Sequence, residues 1–132
     1  MNNIRVGLGQ IDVCVGDLEG NLKKILEYME IAKNLGVDVL CFPELAITGY
    51  PPEDLLLKPS FIEDNLEALD RVREASESLA VVIGFVDRNE DIYNAAAIIN
   101  DKRLVDIYHK RFLPNYGVFD ENRYFQSGVR AP

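Results

Sequence analysis

Val37-Asp38-Val39-Leu40-Cys41-Phe42-Pro43-Glu44-Leu45-Ala46-Ile47-Thr48-Gly49-Tyr50-Pro51-Pro52 is the stretch on which the fold turns. Its first part, 37–42, is an apolar, strand-like run, and it stops at a proline, which cannot extend a ladder. The residue after that proline is a carboxylate. Glu44 therefore stands where the backbone leaves a sheet, rigid on one side and open on the other, a position at which α/β proteins commonly place their chemistry.

Working outward from this stretch gives the rest of the fold. Upstream, 4–11 alternates apolar with small or polar residues and is expected to be a strand. Asp17 is the expected N-cap of a helix whose apolar positions, Leu18, Leu22, Ile25, Leu26, Met29 and Ala32, recur at helical spacing until Gly36 ends it. With the strand 37–42 this makes a β-α-β unit with parallel strands. Downstream of Pro51-Pro52, Ser60 and Glu63 have capping-box spacing, and Ile62, Leu66, Leu69 and Val72 form one stripe of a second helix running to about Ser78. The nearly continuous apolar run 80–86 is expected to be a strand covered on both faces. Turn residues at 88–91 and at Asn100-Asp101 then separate two further strands, 93–100 and 103–108. The order β-α-β-α-β-β-β predicts an α/β fold, a mixed sheet with helices on one face. Nothing in the chain is expected to cover the other face, although 80–86 requires a second layer.

With 132 residues, 48% of them hydrophobic, the chain is expected to form one domain, 1–132, with a core of its own. The net charge of −8 argues against nucleic-acid binding, which needs clustered Lys and Arg. No apolar run is long enough for a membrane span, and the start Met1-Asn2-Asn3-Ile4-Arg5 has no signal-peptide character, so a cytoplasmic location is expected. A single histidine and the lack of Cys-x-x-Cys leave no metal-ligand spacing, and Cys14 and Cys41 are expected to be buried thiols rather than a disulfide.

A second unusual segment begins at Tyr108-His109-Lys110-Arg111 and continues through Leu113-Pro114-Asn115-Tyr116-Gly117-Val118-Phe119-Asp120-Glu121 to Arg123-Tyr124-Phe125. Lys110, alone, is an ordinary charge at a strand end. A Glu and a Lys meeting at adjacent strand ends are a different matter, because together they can take a proton and stabilise a developing oxyanion. These segments, together with Phe42-Pro43-Glu44 and Gly49-Tyr50, resemble the carbon-nitrogen hydrolase (nitrilase) superfamily. Gly49-Tyr50-Pro51-Pro52-Glu53-Asp54-Leu55 and the segment 113–121 resemble, within it, the glutaminase domains of glutamine-dependent NAD synthetases.

The resemblance implies an α-β-β-α sandwich, of which this chain supplies the N-terminal part. It also implies roles: Glu44 as general base, Lys110 as stabiliser of the tetrahedral intermediate, and Glu121 as a second acid that orients the lysine. Tyr50 and Tyr116 either line the substrate pocket or pack the turns in which they lie. The implied chemistry is thiolate attack on the side-chain amide of glutamine or a related amide, ammonia release, and hydrolysis of the thioester. No cofactor is implied for that step. ATP and Mg²⁺ belong to a separate synthetase domain, absent here, which amidates deamido-NAD, and the full-length protein is expected to be a homo-oligomer.

The superfamily's nucleophilic cysteine lies beyond the lysine, and no cysteine follows Lys110. Cys14 has no motif around it, and Cys41, inside the strand, is expected to face away from Glu44. The missing thiol and the missing second layer together predict an N-terminal portion of a larger protein, truncated before the nucleophile and inactive alone. Two other possibilities remain open at this level: part of another amidase of the superfamily, or a non-catalytic module that pairs through its uncovered sheet face.

Overall fold

The computed structural model describes residues 3–131. Five strands and two helices follow in the order β1 (Val6–Leu8), α1 (Leu18–Asn34), β2 (Val39–Cys41), α2 (Pro59–Ala75), β3 (Ala80–Asn89), β4 (Asp91–Asn100) and β5 (Arg103–His109), with short 3₁₀ turns at Glu53–Leu57 and Glu121–Arg123. The strands lie side by side in sequence order. β1, β2 and β3 are parallel, whereas β3, β4 and β5 form an antiparallel meander. The expected mixed sheet is therefore present, with both helices packed on one face.

That face holds the core. Leu22, Ile25 and Met29 of α1 and Ala68, Leu69 and Val72 of α2 meet Leu40, Val81, Ile83, Phe85, Ala95, Ala97 and Ile99 of the sheet. Leu40 and Phe42 point into this core, so Cys41, between them, points to the opposite face together with its register partner Val82. On that second face Val6 and Leu8 are exposed, and Val82, Ala96 and Ile98 are only half-buried.

Several local expectations are corrected. Cys14 and Cys41 are unpaired but not buried: Cys14 is exposed in the turn before α1 and Cys41, on the uncovered sheet face, is only half-buried. β1 is shorter than 4–11, because beyond Leu8 the chain turns on itself, with Gln10 donating to the Leu8 carbonyl at 3.0 Å and Ile11 to that of Gly9 at 2.9 Å. The Ser60/Glu63 capping box does not form. Lys58 caps α2 through its backbone and Pro59, whose fixed φ suits the first helical position, starts the helix, while Glu63 reaches Arg88 at 3.4 Å. α2 ends at Ala75, where the Ser76 hydroxyl donates to the Arg73 carbonyl at 2.7 Å. The turn expected over 88–91 contracts to Glu90, at φ 65°, because the ladder runs on to the Asn89–Asp91 pair. The Asp17 cap forms as expected, its carboxylate accepting from the Gly20 amide at 2.9 Å.

Candidate active site

Glu44 and Lys110 meet. Lys110 Nζ lies 2.7 Å from Glu44 Oε1 and 3.1 Å from Glu121 Oε1. They do not meet as neighbours at adjacent strand ends, however. β2 and β5 are separated by β3 and β4, a gap of roughly 14 Å at the usual strand spacing.

What closes this gap is the path of the chain after β2. Phe42 still donates to the Val82 carbonyl at 2.8 Å, and Ile47 rejoins the β3 edge through the Gly84 carbonyl at 3.4 Å. Between them, residues 43–45 arch over the open face of β3 at Gly84, where a Cβ would come within 2.2 Å of the Leu45 nitrogen and 2.6 Å of the Pro43 carbonyl oxygen. Only glycine leaves room for that crossing. Leu45 is held at φ 47°, a left-handed conformation that costs a leucine about 1–3 kcal/mol. Its side chain is fully buried with Leu56, Phe61, Ile62, Val86 and Phe125, which offsets a strain of that size.

Two buried asparagines tie down the segments beside the arch. Asn21, on α1, donates to the carbonyls of Cys14 and Ile47 at 2.7 and 3.0 Å and accepts from the Cys14 amide at 2.8 Å. Asn65, on α2, pairs with both backbone groups of Val86, at 2.6 and 3.1 Å. The apolar stripes predicted for these helices omitted both residues, yet a polar residue inside an apolar stripe was itself the available signal.

Lys110 follows the last residue of β5 and is fixed through its amide, which donates to the Asn94 carbonyl at 2.8 Å. Glu121 opens the second 3₁₀ turn, donates its N–H to the Pro114 carbonyl at 3.2 Å, and is only 5% exposed. Its carboxylate accepts from the Tyr50 hydroxyl at 2.9 Å. Two carboxylates thus flank one ammonium. Burial alone pulls the Lys110 pKa down, but the hydrogen bonds it donates to Glu44 and Glu121 outweigh it and hold the group above the ordinary lysine value. Burial, followed by the hydrogen bond to Glu121, holds the Tyr50 phenol well above the ordinary tyrosine value, so Tyr50 remains a neutral donor.

Glu44, with a side chain 47% exposed, faces a hollow of about 350 Å³ bordered by Phe42, Val82, Asn94, Ala96, Tyr108 and Lys110. A second hollow of about 340 Å³ lies beside Glu121, with Tyr50, Pro51, Val118, Phe119 and Tyr124 among its walls. Tyr116 is not drawn in with the others. It is 71% exposed and rests edge-on against Phe119, ring centroids 5.5 Å apart. Cys41, expected to face away from Glu44, instead shares the open sheet face with the arch, because the alternation that governs the strand ends where the chain leaves it; even so, Cys41 does not border the Glu44 hollow. Sequence reasoning missed Asn94, whose amide nitrogen lies 2.6 Å from Glu44 Oε1. Its signal was an amide set in the apolar strand segment Tyr93-Asn94-Ala95-Ala96-Ala97.

Comparison with known proteins agrees with this geometry. The chain is 48% identical over 130 residues to a glutamine-dependent NAD(+) synthetase of Thermotoga maritima and 42% identical over 126 residues to one of Xanthomonas campestris. These matches cover 97% and 94% of the chain but 23% of each relative, so the chain spans about a quarter of their length. Among solved structures, the glutamine-dependent NAD+ synthetase of Acinetobacter baumannii superposes with a TM-score of 0.92 at 39% identity, covering 96% of this chain and 24% of that one. The NitN amidase of Nesterenkonia sp. AN1 superposes with a TM-score of 0.87 at 25% identity, covering 98% and 51%. The fold is thus shared with both synthetases and amidases, and the sequence pattern described as carbon-nitrogen hydrolase runs through residues 5–131. A match across nearly the whole chain, carrying the acid and the amine in contact, means that this chain belongs to the carbon-nitrogen hydrolase family.

Proposed function

We propose that this chain is the amino-terminal portion of the glutaminase domain of a glutamine-dependent NAD synthetase. The observation that carries this reading is the contact of Lys110 Nζ with both Glu44 and Glu121, made by segments far apart in sequence. Its sequence identity to the synthetases, 48% at its highest among those compared, favours them over the amidase, at 25%.

The chemistry follows from the three groups. A thiol bound near Glu44 gives its proton to that carboxylate, and the thiolate attacks the carbonyl carbon of the glutamine side-chain amide. Charge then develops on the carbonyl oxygen, and the Lys110 ammonium, held protonated between two carboxylates, stabilises it. Collapse of the tetrahedral intermediate breaks the C–N bond, with Glu44 returning its proton to the departing ammonia. Water, deprotonated by Glu44, then cleaves the thioester and releases glutamate. Glu121 orients Lys110 throughout, itself restrained by Tyr50. Tyr50 and Tyr116 contact the substrate, Tyr50 from the wall of the site and Tyr116 from its rim.

The thiol in this scheme is assigned to a residue outside these 132, because neither Cys14 nor Cys41 borders the hollow that Glu44 faces. An active-site cysteine is named in a structure of the Nesterenkonia amidase, where acrylamide has added to it. In the complete protein the ammonia passes to an ATP- and Mg²⁺-dependent domain that amidates deamido-NAD. That protein works in the cytoplasm as a homo-oligomer.

The test uses the complete protein expressed from the gene that encodes this chain. It is expected to release ammonia from glutamine, to form NAD with either glutamine or free ammonia, and to lose only the glutamine-supported reaction in Glu44→Gln. No glutamine hydrolysis by the complete protein, or equal loss of both reactions in the variant, overturns the proposal.

A further inference from the structure

We propose that Asn94 is a positioning residue that selects which oxygen of Glu44 takes the proton, an inference resting on the glutaminase reading above. Asn94 is 3% exposed and lies midway along β4. Its Nδ2 donates to Glu44 Oε1 at 2.6 Å, and Lys110 Nζ donates to the same oxygen at 2.7 Å. Among the described residues no donor meets Glu44 Oε2.

The consequence is an asymmetric carboxylate. Oε1 has two donors and is the poorer base, whereas Oε2 keeps its lone pairs free to accept a proton. With one donor from β4 and one from the end of β5, the carboxylate plane is fixed, which a single contact to the flexible lysine cannot do. The second amide hydrogen of Asn94 points toward Glu121 Oε2, at 3.5 Å, and the Asn94 carbonyl accepts from the Lys110 amide at 2.8 Å. One residue thus meets all three members of the charged cluster. Its amide also separates the two carboxylates without adding charge, which an aspartate of the same shape cannot do.

Removing the Asn94 donor leaves Oε1 to Lys110 alone and frees the carboxylate to turn. The groups that bear on the Glu44 charge are Lys110 from β5, Glu121 from the 3₁₀ turn, Tyr50 from the loop after the arch, and Arg111 at the border of the hollow.

The test compares Asn94→Ala and Asn94→Asp in the complete protein. Glutamine-dependent kcat is expected to fall about 10- to 100-fold, the loss typical of a misplaced catalytic group, with KM for glutamine little changed. Asn94→Asp keeps the shape of the side chain but brings a third carboxylate to one ammonium, and it is expected to lose at least as much kcat as Asn94→Ala, which a packing role alone does not predict. Synthesis from free ammonia stays at the wild-type rate, which shows that the synthetase domain is intact, and amide-exchange protection across β3, β4 and β5 matches the wild type, which shows that the sheet carrying Asn94 folds. A normal kcat, a loss carried by KM rather than kcat, or a near-normal kcat in Asn94→Asp overturns the role assigned to Asn94 while leaving the glutaminase reading intact. Absence of glutamine turnover in the wild-type protein overturns both.

Discussion

Gly84 lies directly beneath Leu45: a Cβ on the glycine would stand 2.2 Å from the Leu45 amide nitrogen. The clash would be with backbone on three sides, the Pro43 carbonyl oxygen and the Glu44 carbonyl carbon being the other two. No side-chain rotation can relieve it. This contact, between a strand of the meander and the turn after β2, brings Glu44 across to Lys110.

Gly84→Ala is therefore expected to lift the arch and separate the pair. The cost in stability is about 3 kcal/mol, the upper part of the range for overpacking, because backbone rather than side chain must move. Glutamine hydrolysis by the complete protein is lost with it. Chemical denaturation of the variant, alongside an ammonia-release assay, measures both, and an arch that tolerates the methyl group leaves both unchanged.

The sequence carried the helices, the parallel and antiparallel halves of the sheet and the pairing of Glu44 with Lys110, since each rests on local periodicity or on long, specific motifs. The route by which the pair forms was not legible. An acid and an amine at two strand ends suggest neighbouring strands, and only the sheet order shows that β2 and β5 have two strands between them. Gly84 sits in an apolar run, Val81-Val82-Ile83-Gly84-Phe85-Val86, where it looks like an ordinary strand residue until the arch is seen over it. Asn21, Asn65 and Asn94 escaped for a related reason. Each lies in an apolar pattern as a single interruption, and its partner is the backbone or carboxylate of a distant segment. The Ser60/Glu63 cap failed because Pro59 had already taken the first helical position.

Asn21→Ala is expected to lower stability by about 1–3 kcal/mol, since it leaves the Ile47 carbonyl without its partner in a buried place and the Cys14 amide and carbonyl without theirs in a part-buried one. The loss loosens the arch from α1 rather than the whole helix. Amide hydrogen exchange should therefore rise at Cys14 and near Ile47 while the centre of α1 stays protected. Uniform deprotection of α1 would contradict this role.

The alkaline behaviour of the site has a definite sign. Lys110 in the folded chain has a pKa above the 10.5 of a free lysine, because the hydrogen bonds to Glu44 and Glu121 outweigh the burial that opposes its charge. Its contribution to stability is present in full below pH 10.5 and is lost as pH rises through the folded value. Tyr50, also raised, by burial first and then by its bond to Glu121, acts in the same direction from pH 10.0 upward, because the folded state keeps a proton that the unfolded state releases. Stability is expected to fall steeply above pH 10, and Tyr50→Phe to make the fall shallower. Denaturation midpoints measured through the alkaline range, with tyrosinate absorbance followed in parallel, decide this. An identical slope in Tyr50→Phe would remove Tyr50 from the account.

The two cysteines provide the sharpest test of where the thiol comes from. Cys14 is exposed in the turn before α1, and its backbone, not its sulfur, is engaged by Asn21. Cys41 reaches the open face, but from β2, three strand positions from β5 and outside the hollow that Glu44 borders. A thiol must lie within hydrogen-bond reach of its base to be deprotonated by it. Replacing both by serine in the complete protein is therefore expected to change glutamine turnover by no more than about twofold, the scatter of substitutions away from a site. Turnover in the double variant should remain fully sensitive to thiol alkylation, with the modified residue found outside these 132 positions. Loss of activity with either serine would instead make that cysteine the nucleophile and would require the arch over Gly84 to swing Glu44 back toward β2.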